Sequence, residues 1–83
     1  MNTSNYKDEF DQLNKIVKSY NLNSPKDTLL FANNSKFQLP NLNNIPQYHN
    51  IVGLINFRLN DLENSVLNFE KAINLEPNFY SAY

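Results

Sequence analysis

Few residues in this chain could do chemistry. His49 is the only imidazole, and there is no cysteine. Serine, histidine and aspartate are all present, so a nucleophilic triad is conceivable by composition. Such a triad needs its hydroxyl on a sharp turn beside an oxyanion-binding loop, and no nucleophile elbow or glycine-rich turn accompanies these residues. His49 therefore reads as a half-buried structural ring. The carboxylates fall in two groups, Asp8 with Glu9 and Asp11, and Asp61 with Glu63. Both groups read as turn or first-turn residues, whereas hydrolytic carboxylates must face each other across a cleft. One histidine without cysteine makes no zinc ligand set, and a single glycine, Gly53, cannot build a phosphate-cradling loop. The expectation is no catalytic residue, no metal and no cofactor, and a chain that is not an enzyme by itself.

The elements that would position these residues are helical. At 83 residues and 9.7 kDa, with 41% hydrophobic residues, the chain holds at most one domain. One glycine argues against hairpin-rich β structure, whose turns need positive φ. The net charge is −1, with both signs interspersed. No basic stripe is offered to nucleic acid or anionic lipid. No apolar run approaches the length of a membrane-spanning helix. The first residues, MNTSNYKDEFDQ, lack the basic start and apolar run of a signal peptide, so a cytoplasmic location is expected. Asparagine makes up roughly a fifth of the residues, dispersed rather than clustered, which reads as background composition.

In chain order, residues 5–20 place Tyr6, Phe10, Leu13, Val17 and Tyr20 on one stripe of a first helix. Ser24-Pro25-Lys26-Asp27 is a helix start, with Ser24 as N-cap and Pro25 at the first helical position. The second helix runs over 25–37 with Leu29, Leu30, Phe31, Ala32 and Phe37. Leu39-Pro40 and the asparagine-rich NLNN end it. The third helix, 47–59, is apolar on more than one side and must be covered from two directions. Asn60-Asp61 is the turn. The fourth helix, 62–75, would bury Leu62, Val66, Phe69 and Ile73, with Ala72 and Leu75 less regularly placed. Glu63, Asn64, Glu70, Lys71 and Asn74 would face water. A further helix would open at 79.

Residues 46–83 carry Val52, Gly53, Ser65, Phe69, Ala72 and Pro77 in one register, and His49 and Tyr83 stand 34 residues apart. This pattern resembles a tetratricopeptide (TPR) repeat, a 34-residue helix–turn–helix with these landmarks. The resemblance implies an all-α solenoid of antiparallel hairpins: a divergent repeat over 5–41, a clear one over 46–79, and the start of another at 80–83. In the first unit, if Pro40 takes the part of Pro77, Ser35 falls on Ala72 and Ala32 on Phe69, and about three extra residues precede His49. The repeat also gives Gly53 a reason, because an interior helical glycine costs about 1 kcal/mol against alanine. It lies at the closest approach of two helices, with Ser65 and Ala72 opposite and Phe69 filling the remaining space. On this reading Gly53→Leu abolishes folding and Gly53→Ala is nearly neutral. The chain departs from the family at Asn56, where Phe57 is a stand-in for an aromatic, and at Asn60, the residue next best to glycine at a left-handed helix end. It departs again at Ser65 for alanine, and at His49, with Tyr48 as its stand-in.

TPR arrays bind peptides or partner proteins on the concave face lined by the first helix of each repeat. Carried over, the exposed positions would be Gln47, Asn50, Ile51, Leu54, Phe57 and Arg58. The lysine and asparagine that grip a terminal carboxylate in one subset correspond to Asn50 and Leu54, so that clamp is not supported. The asparagine that lines the groove in glycosyltransferase arms corresponds to Ile51. What remains is an apolar surface with one cation, Arg58, suited to a hydrophobic or amphipathic segment. Two functions follow: a protein-interaction scaffold or adaptor, or the N-terminal substrate-recruiting arm of a larger enzyme such as a glycosyltransferase, sulfotransferase or methyltransferase. Solenoids need three or more repeats and a cap, so the chain reads as the start of a longer protein, or as one that self-associates through its last repeat face.

Overall fold

The computed structural model describes residues 6–76. It contains four α-helices, α1 (Lys7–Leu22), α2 (Pro25–Gln38), α3 (Pro46–Arg58) and α4 (Leu62–Leu75), with a 3-10 segment, Pro40–Asn44, between α2 and α3. The all-helical expectation holds, with boundaries within two residues throughout. Pro77, the expected helix from 79 and Tyr83 lie outside the described residues.

Local chemistry sets the helix ends. The Ser24 hydroxyl accepts the Asp27 amide at 3.2 Å, with Pro25 at the first helical position. Asn60 adopts φ 66°, the left-handed conformation that asparagine tolerates better than most residues. Around it the Asp61 amide donates to Asn56 O (2.9 Å) and the Asn60 amide to Phe57 O (3.0 Å), the crossed pair of a Schellman stop. The Asp61 carboxylate then caps α4, accepting the Asn64 amide at 3.3 Å and the Asn64 side chain at 2.7 Å. One short turn thus ends α3 and starts α4, folding them into an antiparallel hairpin.

α3 sits at the centre, meeting α1, α2, α4 and the 3-10 segment. The core gathers Leu13 and Ile16 of α1, Ala32 of α2, Leu42 and Ile45 of the connection, and Tyr48, Ile51, Val52 and Ile55 of α3. The asparagine-rich connection, expected only to break the chain, therefore contributes to the core. Leu42 is fully buried, because the 3-10 turn projects it inward while its asparagines stay outside.

Small residues, rather than the largest apolar ones, form the seams between helices. α2 buries Thr28, Ala32 and Ser35, and α4 buries Ser65 and Ala72. Each residue of the α2 set lies 37 residues before Ser65, Phe69 and Ala72 respectively, the register expected from Pro40 and Pro77. Hydroxyls on these seams are satisfied. Ser19 and Thr28 share a hydrogen bond at 3.0 Å, Gln12 donates to Ser35 at 2.8 Å, and Ser65 donates to Gly53 O at 2.9 Å.

The expected burial of the apolar stripes is corrected accordingly. Leu62, Val66, Ile73 and Leu75 of α4 are exposed, as are Leu30 and Phe37 of α2, Phe37 to 87%. On α1 the inner positions are Leu13 and Ile16, while Tyr6, Phe10 and Val17 lie at its exposed edge. At about 100° per residue, Ser65 and Ala72 point roughly a quarter turn away from Val66 and Ile73. Close approach selected the small residues, and the larger ones were left outside. Phe57 is 60% exposed and does not replace an aromatic at Asn56, which is itself buried and accepts from Asn68 at 2.9 Å.

Gly53 lies against the Phe69 ring. A Cβ there would stand 2.7 Å from Phe69 Cε1, so even alanine forces the ring to move. Close approach holds as expected, and Gly53→Ala requires the Phe69 ring to give way.

Candidate functional site

α3 presents two opposite faces. Gln47, Asn50, Leu54 and Arg58 recur at three- and four-residue steps on one side. His49, Val52 and Asn56 do so on the other, about half a turn away, with Tyr48 beside them.

The first face contains the binding positions expected from sequence. Gln47, Phe57 and Arg58 are exposed, and Asn50 and Leu54 are half-buried, Leu54 packing against the core. Ile51 does not belong with them. It is only 7% exposed and is part of the core, because it turns toward the body of the bundle. Arg58 reaches across to α1: its Nη1 donates to Tyr20 O at 3.2 Å, and its guanidinium carbon stands 4.9 Å from the Tyr20 ring centroid. This stacking ties the C-terminal end of α3 to that of α1 and flattens the cation onto an aromatic face. Phe10 and Val17 of α1, both partly exposed, stand 37 residues before Gln47 and Leu54. Val17 and Leu54 are thus apolar at the same 37-residue offset, whereas Phe10 is offset to the polar Gln47.

The second face is the floor of a cleft between α2 and α4. The cleft holds about 260 Å³ and is lined by Leu29, Asn33 and Lys36 of α2, by Tyr48, His49, Val52 and Asn56 of α3, by the capping Asp61, and by Asn64, Asn68 and Lys71 of α4. An adjoining depression shares His49 and Lys71 with it. His49 is 3% exposed rather than half-buried. Its Nε2 lies 2.7 Å from Asn43 O; a carbonyl only accepts, so Nε2 carries the hydrogen. Nδ1 is buried without a hydrogen-bond partner. Tyr48 packs edge-on against this ring, with centroids 5.4 Å apart, and donates its hydroxyl to Ala32 O at 3.0 Å. Burial pushes the Tyr48 phenol up to about 12, keeping it a neutral donor.

Sequence reasoning missed the cleft. Asp61, Asn64, Asn68 and Lys71 recur at steps of three and four, but Asp61 reads as a turn residue and Asn64 and Lys71 as water-facing. That α2 supplies the facing wall is a tertiary fact. Among the described residues, no three His, Cys, Asp or Glu side chains converge as a metal site, and no helix is long and apolar enough to cross a membrane. In comparisons with known proteins, no family model, curated protein or solved structure matches the chain.

Proposed function

We propose that this chain is a cytoplasmic protein-interaction module of TPR-like design, which takes a peptide or partner protein on the shared face of α1 and α3. The observation that carries this reading is the Arg58–Tyr20 stack. It fixes α3 to α1 beside Phe57, a large apolar side chain left 60% exposed. An aromatic, a half-buried leucine and a stacked guanidinium on one face form the kind of cluster that anchors partner segments, since interface energy concentrates in aromatic and arginine residues. Neutral Gln47 and Asn50 beside them suit a partner's backbone. The partner this face fits is an amphipathic segment with apolar anchors and an acidic or carbonyl group for Arg58.

Peptide-library selection on the intact chain tests the reading. Selected peptides should carry apolar residues at regular spacing, and Phe57→Ser should weaken them roughly a hundredfold, as expected for a central aromatic anchor. Selection of peptides that bind the Phe57→Ser and Arg58→Ala chains undiminished would place recognition elsewhere.

A further inference from the structure

The outer side of α4 has its own chemistry, independent of the α1–α3 face. Leu62, Val66, Phe69 and Ile73 recur at steps of four, three and four, the spacing of a coiled-coil seam. Leu62 and Val66 are each 54% exposed and Ile73 43%, while Phe69 is half-buried with its ring over Gly53. Written as a heptad, Val66 and Ile73 take position a, Leu62 and Phe69 position d, Glu63 and Glu70 position e, and Ser65 and Ala72 position g. The g side is closed, because Ser65 and Ala72 are buried in the seam with α3. The e side is open. Both glutamates are exposed, and neither is in an ion pair among the described residues. Lys71, at position f, points away from the stripe. α2 shows what such a stripe requires: Leu29, 37 residues before Val66, packs against the core, since α3 lies against α2. No described helix covers Val66 in the same way.

We propose that this stripe is a docking site for one basic amphipathic helix of a partner protein. β-Branched residues at a with leucine at d form the two-stranded pattern, so a single helix completes the seam. From Leu62 to Ile73 the stripe runs about 16 Å, the reach of three helical turns. The partner's apolar residues fill the a and d line, and its lysines or arginines stand against Glu63 and Glu70. Those glutamates decide between occupants. A second copy of α4 running antiparallel would bring e against e, setting Glu63 and Glu70 of one copy against those of the other. Running parallel, e would face Ser65 and Ala72, which α3 already covers. Residues 77–83 carry no charged side chain and leave both glutamates unanswered. A basic helix satisfies the apolar line and the acidic rim together.

The experiment is a nuclear magnetic resonance titration of the isotopically labelled full chain with a capped three-heptad peptide carrying leucine at a and d and lysine at e and g. A peptide with glutamate at e and g, and a scrambled lysine peptide of the same composition, serve as comparisons. Shifts should centre on Leu62, Glu63, Val66, Glu70 and Ile73. Both comparison peptides should bind roughly tenfold more weakly or worse. The Glu63→Gln/Glu70→Gln chain should bind the lysine peptide roughly fivefold more weakly, as for two exposed ion pairs, and added salt should narrow that difference. Val66→Ser should cost roughly tenfold, as for an apolar side chain no longer buried on binding. All three side chains are exposed, so these variants should keep the parent circular dichroism spectrum. Equal binding of either comparison peptide, undiminished binding by the variants, or no binding at all overturns the site. So would self-association of the free chain that Val66→Ser abolishes, which makes a second copy the occupant. Nuclear Overhauser contacts from Tyr80 to Val66 in the free chain would overturn it in favour of residues 77–83. Shifts at Gln47, Leu54 and Arg58 with α4 silent would also overturn it, while leaving the α1–α3 face intact as the place of recognition.

Discussion

The hairpins α1–α2 and α3–α4 solve one packing problem in opposite ways. Ile16 stands 37 residues before Gly53, and Ala32 37 residues before Phe69. In the first hairpin the bulk comes from the first helix, with Ile16 and Ala32 both fully buried in the same core. In the second it comes from the second helix, where the Phe69 ring covers Gly53. The polar links differ in kind as well. α1 and α2 are joined side chain to side chain, through Ser19 with Thr28 and Gln12 with Ser35. α3 and α4 are close enough for the Ser65 hydroxyl to reach the Gly53 carbonyl. The volume shared across each seam, rather than the residue at any one position, is what the packing preserves.

The sharpest test exchanges the two solutions. Gly53→Ile alone should cost about 3 kcal/mol or more in urea denaturation, since it drives a branched side chain into the Phe69 ring. Adding Phe69→Ala, which reproduces the Ile16–Ala32 pairing, should restore most of that loss. A double variant no more stable than the single one would mean that the hairpins are not interchangeable. Gly53→Ala is the milder form. Its gain of about 1 kcal/mol in helix propensity works against the 2.7 Å contact, and a net loss of about 1 kcal/mol is expected. In a Phe69→Leu background the sign should reverse.

Tyr48 tests how firmly the first hairpin is tied to α3. Its folded phenol ionises near 12, above the ordinary value of about 10, so burial favours the neutral form. That contribution is complete below about pH 10 and is lost as the pH rises toward 12. Absorbance at alkaline pH should show one late tyrosinate that coincides with unfolding and is missing in Tyr48→Phe. At neutral pH the same variant should cost about 1 kcal/mol for the lost bond to Ala32 O. The smallest effect is expected at the turn. Asn60→Gly should stabilise the second hairpin by a few tenths of a kcal/mol by relieving the left-handed φ, and a loss there would mean that the asparagine side chain contributes more than its conformation.

Helix positions and ends were legible because their signals are local: Ser24-Pro25 for a start, Asn60-Asp61 for a stop and restart, and three- to four-residue periodicity between. Chain spacing also sets Ser35 and Ala72 37 residues apart, and both are buried. Which side of each helix turns inward was not. Hydrophobicity pointed to Val66 and Ile73, whereas the seam follows Ser65 and Ala72, and only the distance between helices decides between them. Leu42 and Ile45 were hidden among asparagines and prolines that read as a breaker. On the α1–α3 face Gln47, Leu54, Phe57 and Arg58 were legible from one helix. The cleft was not, because its two walls come from helices that are not neighbours in sequence, α2 and α4.

α4 packs almost entirely on α3, while α3 also meets α1, α2 and the 3-10 segment. This asymmetry divides the molecule into units of unequal cooperativity. Opening of α1 or α2 disturbs the core that α3 completes, whereas α4 can detach by breaking one seam. Backbone amides of α4 should exchange with deuterium through a partial opening, and those of α3 only through global unfolding. Because α4 forms one wall of the cleft, that same opening would remove its Lys71 side and leave Lys36 and His49 in place.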